Sequence, residues 1–495
     1  MNAQTKPELH EALSGLKDRR LLRELGYVGG RWTAGSGAMA DVYDPASGKL
    51  VSRVVRLGAE EAREAIAAAD AAFASWRKLL PQQRAKILRD WHDLIVDATD
   101  DLALIMTLEQ GKPLAESRGE IAYGASFVEW FAEEGKRLNV ESVTSHLPDT
   151  EMIIRREPLG VVAVVTPWNF PNAMLTRKAA AALAAGCTVV AHPSSSTPLS
   201  ALALAELAER AGFPPGVFNV LPGPAADIVG AFTAAPQVRA LSFTGSTEIG
   251  KAVAAQCAAG MKRVVMELGG HAPLIIFEDA DIDRAVEIAM AAKFATSGQD
   301  CLAANRIYVQ RPIYDAFNRA FAARVSAMKV GAGLDPDVEI GPLMHARAVA
   351  KVSEQVSDAV NRGARCLAGG EAGKPGPLFH SPTLLVDVPD DALVMREETF
   401  GPLAAVAVFD TEDEVVRRAN DTEYGLVAYV VTRDAARSLR LPRALDYGMV
   451  AVNRVKITGG PIPFGGTKQS GIGREGSRHG IEAFTEIKYI CLDAA

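Results

Sequence analysis

Between Val161 and Phe277, short apolar runs rich in β-branched residues (VVAVV, TVVA, VFNVL, RALSF, RVVME, PLIIF) take turns with alanine-rich segments such as SALALAELAERAGF. Runs that are apolar at every position suit strands covered on both faces, and parallel strands need helical crossovers between them. The order therefore predicts a βαβ series that builds a parallel sheet. A second alternating set from Gly298 to Asn453, with NRIYVQ, LAAVAVF and GMVAVN, predicts a second α/β unit. Ahead of both, Ala59 to Leu138 has the three-and-four spacing of helices, with Pro81 suited to a first turn and Gly111 to an end. A chain of 495 residues has room for two or three such units.

Charge narrows the function classes. The net charge is −7, with acids and bases mixed along the chain, so no basic stripe is offered to phosphate backbones or anionic lipid. The first twenty residues lack the apolar core of a signal peptide, and the longest apolar stretches, such as AAAALAAGCTVVA, are broken by glycine. Neither nucleic acid nor a membrane is an expected partner. The five cysteines (Cys187, Cys257, Cys301, Cys366 and Cys491) are odd in number and contain no CxxC pair. That excludes a disulfide framework and a thiolate zinc site and points to a reducing, cytoplasmic setting. No HExxH or clustered ligand spacing exists, so no metal is expected, and His271 reads as a structural ring.

Four segments could carry chemistry. Gly245 to Lys251 spells GxxxxGK, but Ala252 stands where a nucleotide triphosphatase needs Ser or Thr for magnesium. A strand end, a glycine turn and a helix start remain, which suit a pyrophosphate or simply form a tight turn. There is no GxGxxG. VVTPWNFPNAML runs a buried strand into two prolines around Asn169, whose amide either donates to a developing oxyanion or caps the turn. RVVMELGGHAP sets Glu267 at the end of an apolar strand, where burial raises a carboxyl toward neutrality and makes it a candidate base; a strand-end salt bridge is the alternative. Cys301, after TSGQD, is either a small buried hydrophobe or a thiolate favoured by backbone amides at a turn.

Taken together, TPWNFP, FTGSTEIGK, MELGGHAP, GQDC, EETFGP and PFGGTKQSGIGRE occur in the order and at the spacing of the aldehyde dehydrogenase superfamily, which the chain resembles from about Gly30 to its end. The resemblance implies an α/β, aldehyde-dehydrogenase-like fold: two Rossmann-like α/β domains plus a small β oligomerisation flap. It implies a cofactor-binding domain from 1–135 and 159–269, a catalytic domain over 270–470, and an oligomerisation segment from 136–158 and 481–495, in a homodimer or homotetramer. By matching motif positions, Cys301 is the nucleophile, Glu267 the base for deacylation and Asn169 the oxyanion donor, with Lys178 and Glu475 as polar neighbours. Glu398 would hold the nicotinamide ribose, Gly245 and Ser246 the pyrophosphate, and Trp168 and Leu268 the nicotinamide flank. Thr166, His192, Ser195 and Phe400 would complete the cofactor site. Retention of Glu267 favours hydrolysis over transfer to coenzyme A.

Within the family the chain looks most like the succinate-semialdehyde dehydrogenases. Arg177 matches the arginine that receives the substrate's distal carboxylate, and Phe170, Thr458 and Phe464 would border the aldehyde. The chain departs from that group at Ala295, where a second arginine is expected, at Thr458 for serine, at Ala303 for a second cysteine, and at Asp300, which replaces an uncharged residue and would raise the thiol pKa if it points inward. His192 replaces lysine, and Ser195 stands where NAD-selective members often carry glutamate, so the expected cofactor is NAD, with NADP tolerated. The expected reaction is oxidation of succinate semialdehyde or a similar carboxylated semialdehyde. The alternatives are a neutral or aromatic aldehyde, acyl-transferring or esterase-like use of the thiol, and a non-catalytic member of the fold.

Overall fold

The computed structural model describes residues 9–493. Its N-terminal helical region resolves into Ala59–Trp76, Pro81–Asp97, Thr99–Gln110 and Leu114–Glu134. Pro81 opens the second of these, at a position whose N–H would have no intrahelical partner, and Gly111 ends the third in the left-handed conformation.

The first sheet runs, in spatial order, Gly471–Ile472, Arg263–Glu267, Val238–Thr244, Val161–Val165, Thr188–His192, Phe218–Val220, Gly26–Val28 and Arg31–Thr33. Its five central strands, from Arg263–Glu267 to Phe218–Val220, are parallel, and the strands outside them pair antiparallel. From Val161–Val165 the chain builds outward to Phe218–Val220, then crosses to the other side for Val238–Thr244 and Arg263–Glu267. That reversal opens a crevice at the carboxyl ends of Val161–Val165 and Val238–Thr244, where ligands of open α/β sheets bind. Helix Ala173–Ala185 is buried along its whole length, and its alanines let it lie between the sheet and helix Leu114–Glu134. Trp76 and Trp91 fill the same core while donating their indole N–H groups to the carbonyls of Leu183 and Leu204, at 3.2 and 3.1 Å, so burial leaves neither donor orphaned.

The second sheet orders Arg365–Ala368, Thr383–Val386, Leu403–Phe409, Ala304–Gln310, Ala272–Ile276, Val427–Val431 and Met449–Val452, and only its first pair is antiparallel. The strand-like tail forms Thr485–Asp493, which pairs over nine residues with Thr150–Pro158; Glu141–Val143 adds to the latter's other edge. This small sheet leaves Ile487 59% and Tyr489 55% exposed. Strands before residue 56 were not anticipated: Gly26–Val28 and Arg31–Thr33, and the hairpin Met39–Tyr43 with Leu50–Val55. They are short and interrupted by glycine and polar residues, which hides the two-residue period.

Candidate active site

Cys301 lies on the turn before strand Ala304–Gln310 of the second sheet. Upstream, Thr296 and Ser297 both hold positive φ, 49° and 56°, a conformation that costs non-glycine residues roughly 1–3 kcal/mol each. Neighbours hold them there. Glu116 accepts the Thr296 N–H with both carboxylate oxygens, at 3.1 and 3.0 Å, and Ser297 Oγ exchanges hydrogen bonds with the Gly341 backbone. Gln299 is pinned through Pro342 O and Met344 N. Asp300 then bends the chain: its carbonyl accepts the Ala303 N–H at 3.0 Å, and its Oδ1 accepts the Leu302 N–H at 2.9 Å. The Cys301 N–H is left without an acceptor among the described residues. Of the two influences the sequence offers, backbone amides at a turn and an inward Asp300, the second sign prevails. Burial first, then the carboxylates of Asp300 and Glu398, push the thiol well above its ordinary range.

Asn169 sits in the turn after Val161–Val165 and donates Nδ2 to the carbonyl of Gln299 at 3.0 Å, which brings its amide to the cysteine loop. A buried ion pair that sequence reasoning missed holds this turn. Lys112 Nζ reaches Glu120 at 2.6 Å and the Asn169 carbonyl at 2.7 Å, and Glu120 accepts the N–H groups of Asn172 and Ala173 that open helix Ala173–Ala185. Phe170 lies with its ring 4.2 Å from Lys112 Nζ.

Glu267 ends strand Arg263–Glu267, buried, and neither carboxylate oxygen has a hydrogen-bond partner among the described residues. Burial, then the nearby Glu475 carboxylate, push its carboxyl well above the usual range. Two glycines permit the approach. A Cβ on Gly465 would stand 2.8 Å from Glu267 Oε1, and one on Gly270 would stand 2.3 Å from the Cys301 carbonyl, so the strand-end loop passes directly against the cysteine turn.

Beside Glu267, one buried carboxylate faces two buried cations. Lys178 Nζ contacts Glu475, Ser242 bridges the two, and Arg177 Nε approaches Glu475 Oε2 at 2.6 Å. The Arg177 contact is Coulombic, since neither atom completes an aligned hydrogen bond there. Burial opposes the charge on Glu475, yet Arg177 and Lys178 outweigh it and hold the carboxyl below its usual range. Arg177's outer nitrogens meet only weak acceptors, the Tyr123 hydroxyl at 3.5 Å and the Met174 sulfur at 3.1 Å, and the Phe464 ring lies 4.1 Å from its carbon. Thr458 lies beside the Tyr123 hydroxyl. Tyr123 was missed in the sequence, although Tyr123, Phe127 and Trp130 mark one helical face at four and seven spacing. Ala295, at the place of the second expected arginine, is exposed.

The crevice between the sheet halves carries the expected cofactor residues. The hydroxyls of Thr166 and Thr244, at the ends of adjacent strands, are buried with no partner. Gly245 and Ser246 follow, and Ser246 caps helix Thr247–Ala259 by accepting the Ile249 N–H at 3.4 Å. Leu268 is buried under this helix, and its N–H goes to Ser470 O at 2.9 Å. Glu398 accepts the Gly270 N–H at 3.0 Å, and Phe400, at φ 53°, meets Trp168 edge-on at 5.5 Å. His192 is buried with Nδ1 2.9 Å from the Leu221 carbonyl, and burial pushes its pKa down. Ser195 is exposed at the rim of a cavity of about 380 Å³ that also touches Asp41, Asp44 and His345 and is lined by no lysine or arginine. A strand reversal, orphaned hydroxyls and a free helix N-terminus suit a dinucleotide's hydroxyls and pyrophosphate.

Comparison with known proteins bears directly on this constellation. The family model described as "Aldehyde dehydrogenase family" matches residues 32–490. Over 478 residues, 96% of this chain and 99% of the relative, the sequence is 53% identical to a glutarate-semialdehyde dehydrogenase of Pseudomonas aeruginosa. It is equally, 53%, identical to the succinate-semialdehyde dehydrogenase [NADP(+)] of Escherichia coli, with the same coverage. Among solved structures, succinate-semialdehyde dehydrogenase from Burkholderia pseudomallei superposes with a TM-score of 0.96 at 50% identity, covering 97% of this chain and 99% of that one.

Proposed function

The chain belongs to the aldehyde dehydrogenase family, and we propose that it oxidises an aldehyde bearing a distal carboxylate, of the succinate- or glutarate-semialdehyde type, to the dicarboxylate. The observation that carries the substrate class is Arg177: a fully buried guanidinium, in a cluster of two cations and one carboxylate, whose outer N–H groups face a phenol and a thioether. A carboxylate is a far better partner for that planar fork than either. Tyr123 and Thr458 extend the same anion-accepting wall, which supports a one-arginine clamp despite Ala295. The semialdehyde names of the relatives agree with this reading.

NAD or NADP supplies the hydride acceptor when bound, held by Thr166, Gly245, Ser246, His192, Ser195 and Glu398, with Trp168, Leu268 and Phe400 around the reacting end. Cys301 sulfur adds to the aldehyde carbon, and Asn169 Nδ2 and the Cys301 N–H receive the oxygen's developing charge. Loss of hydride from that carbon leaves a thioester on Cys301. Glu267, with no hydrogen bond to satisfy its oxygens, takes a proton from water as the water attacks the thioester, and the carboxylate leaves. Lys178 and Glu475 fix the charge around Glu267.

Arg177→Gln is expected to lower kcat/KM for carboxylated semialdehydes about 10²-fold, mainly through KM, while a neutral aliphatic aldehyde and benzaldehyde change little. Equal losses for charged and neutral aldehydes in a steady-state panel would refute the anion anchor.

For the cofactor, the carbonyl of Leu221 can only accept, so His192 Nδ1 carries the proton and Nε2 offers a lone pair. A ribose hydroxyl can donate to it; a 2′-phosphate meets repulsion, with no lysine or arginine lining the cavity beside Ser195 to offset it. NAD should bind tighter than NADP, and His192→Lys should improve NADP binding about tenfold, the worth of one new charge contact of about 1.4 kcal/mol. Tryptophan-fluorescence titration of both cofactors checks this, and unchanged NADP affinity in the variant would remove His192 from the selection.

We assign 1–135 and 159–269 to cofactor binding, 270–470 to catalysis, and 136–158 with 481–495 to oligomerisation. The exposed apolar residues of the small sheet support the last assignment, for a homodimer or homotetramer. The unpaired cysteines are compatible with a cytoplasmic setting, and among the described residues no helix is long and apolar enough to cross a membrane.

A further inference from the structure

We infer that Asp300 is a positioning residue for Cys301: its carboxylate, folded back over the nucleophile's turn, holds the sulfur in the thiol form and sets the pH at which the thiolate becomes available. Two hydrogen bonds define the geometry. Asp300 Oδ1 accepts the Leu302 N–H at 2.9 Å and the Asp300 backbone carbonyl accepts the Ala303 N–H at 3.0 Å, so the carboxylate is folded back along the peptide that follows Cys301 while the carbonyl closes the turn. This turn is also what leaves the Cys301 N–H free to meet an oxyanion. Asp300 has no lysine or arginine within ion-pair distance among the described residues; burial raises its own carboxyl, while the Leu302 N–H, Lys112 and Arg177 favour its charged form.

The surroundings do not cancel that charge. Facing Cys301 are Glu267 from its strand end, Glu398 from the loop after helix Leu393–Arg396, and Arg177 from helix Ala173–Ala185. Facing Asp300 are Lys112 and Glu116 from the start of helix Leu114–Glu134 and its approach, Lys293 from helix Ile282–Phe294, and Tyr429 from strand Val427–Val431. Each cation is committed elsewhere: Arg177 to Glu475, Lys112 to Glu120, and Lys293 to Asn305 at 2.8 Å. Burial also pushes Lys293 down to about 7, which removes part of its charge at neutral pH. Carboxylates thus prevail around the sulfur, and Asp300 is the one covalently adjacent to it. An ionised Asp300 opposes a second negative charge on the neighbouring thiol, and the S–H is a donor for which it is a ready acceptor.

The test is carbamidomethylation of Cys301 in the cofactor-free enzyme, followed against pH by the mass of the Cys301 peptide, so that exposed Cys366 and Cys491 do not interfere. The wild-type midpoint is expected above the free-cysteine value of about 8.5. Asp300→Asn keeps an oxygen for the Leu302 N–H and removes the charge; its midpoint should fall, and each unit of fall should raise the rate near pH 7 about tenfold. Asp300→Ala should shift the midpoint likewise but lose more kcat than Asp300→Asn, because the turn is no longer held. An Asn profile that superimposes on wild type overturns the electrostatic role, and equal kcat for Ala and Asn overturns the positioning role. Should either variant fold poorly, a wild-type midpoint at or below the free-cysteine value overturns the inference without any substitution. The catalytic meaning rests on Cys301 being the nucleophile, whereas the alkylation profile is read without turnover and so fails or stands separately.

Discussion

Cys301→Ser is expected to lower aldehyde oxidation by about 10⁴-fold or more, while cofactor titration and thermal unfolding stay close to wild type. The size follows from chemistry and site together. A serine hydroxyl is a far weaker nucleophile than a thiol at neutral pH. The surrounding turn is held by Glu116, Ser297, Gln299 and Asp300 through bonds to backbone groups that the substitution leaves in place. Substantial turnover in this variant would remove Cys301 from the nucleophile's role and favour a reaction that needs only the oxyanion pocket.

Glu267→Gln should separate the two halves of the reaction. The first hydride leaves before any water attacks, so a burst of about one reduced nicotinamide per site is expected, followed by a steady rate about 10³-fold below wild type, within the range for loss of a general base. In the wild type the same step should be slowed by acid. Burial and Glu475 hold the Glu267 carboxyl well above the ordinary carboxylate range, so the base form is lost at a higher pH than for an ordinary carboxylate. Rapid-mixing absorbance of reduced nicotinamide across pH reads both quantities. A variant that turns over at the parent rate, with no burst, would place the base elsewhere.

The parallel strands were legible because most are short, predominantly apolar runs rich in β-branched residues, such as VVAVV before Thr166-Pro167 and VVME before Leu268-Gly269-Gly270. The edge strands before residue 56 were not, since a three-residue strand such as Gly26–Val28 is too short to show a period. Individual site residues were legible where the sequence placed a polar group against the local pattern: Glu267 after three apolar positions, Asn169 between two prolines, Cys301 after a glycine loop. What the sequence concealed was their mutual support. Lys112 and Glu120 look like ordinary surface charges of a helix start, yet they are buried and hold the Asn169 turn, because helix Ala173–Ala185 covers them. Tyr123 looks like one more core aromatic until Arg177 meets it. The sequence left the thiol's environment open between backbone amides at the turn and an inward-pointing Asp300, since the two act oppositely and only coordinates decide which faces the sulfur.

One measurement bears most directly on the central claim that a carboxylated aldehyde is oxidised as a thioester of Cys301. Glu267→Gln enzyme is mixed with NAD and succinate semialdehyde, quenched in acid after the burst, digested and weighed by mass spectrometry. A succinyl group on the peptide that holds Cys301, absent when cofactor is omitted, is the predicted result. Reduced nicotinamide formed in the burst with the Cys301 peptide unmodified would contradict it.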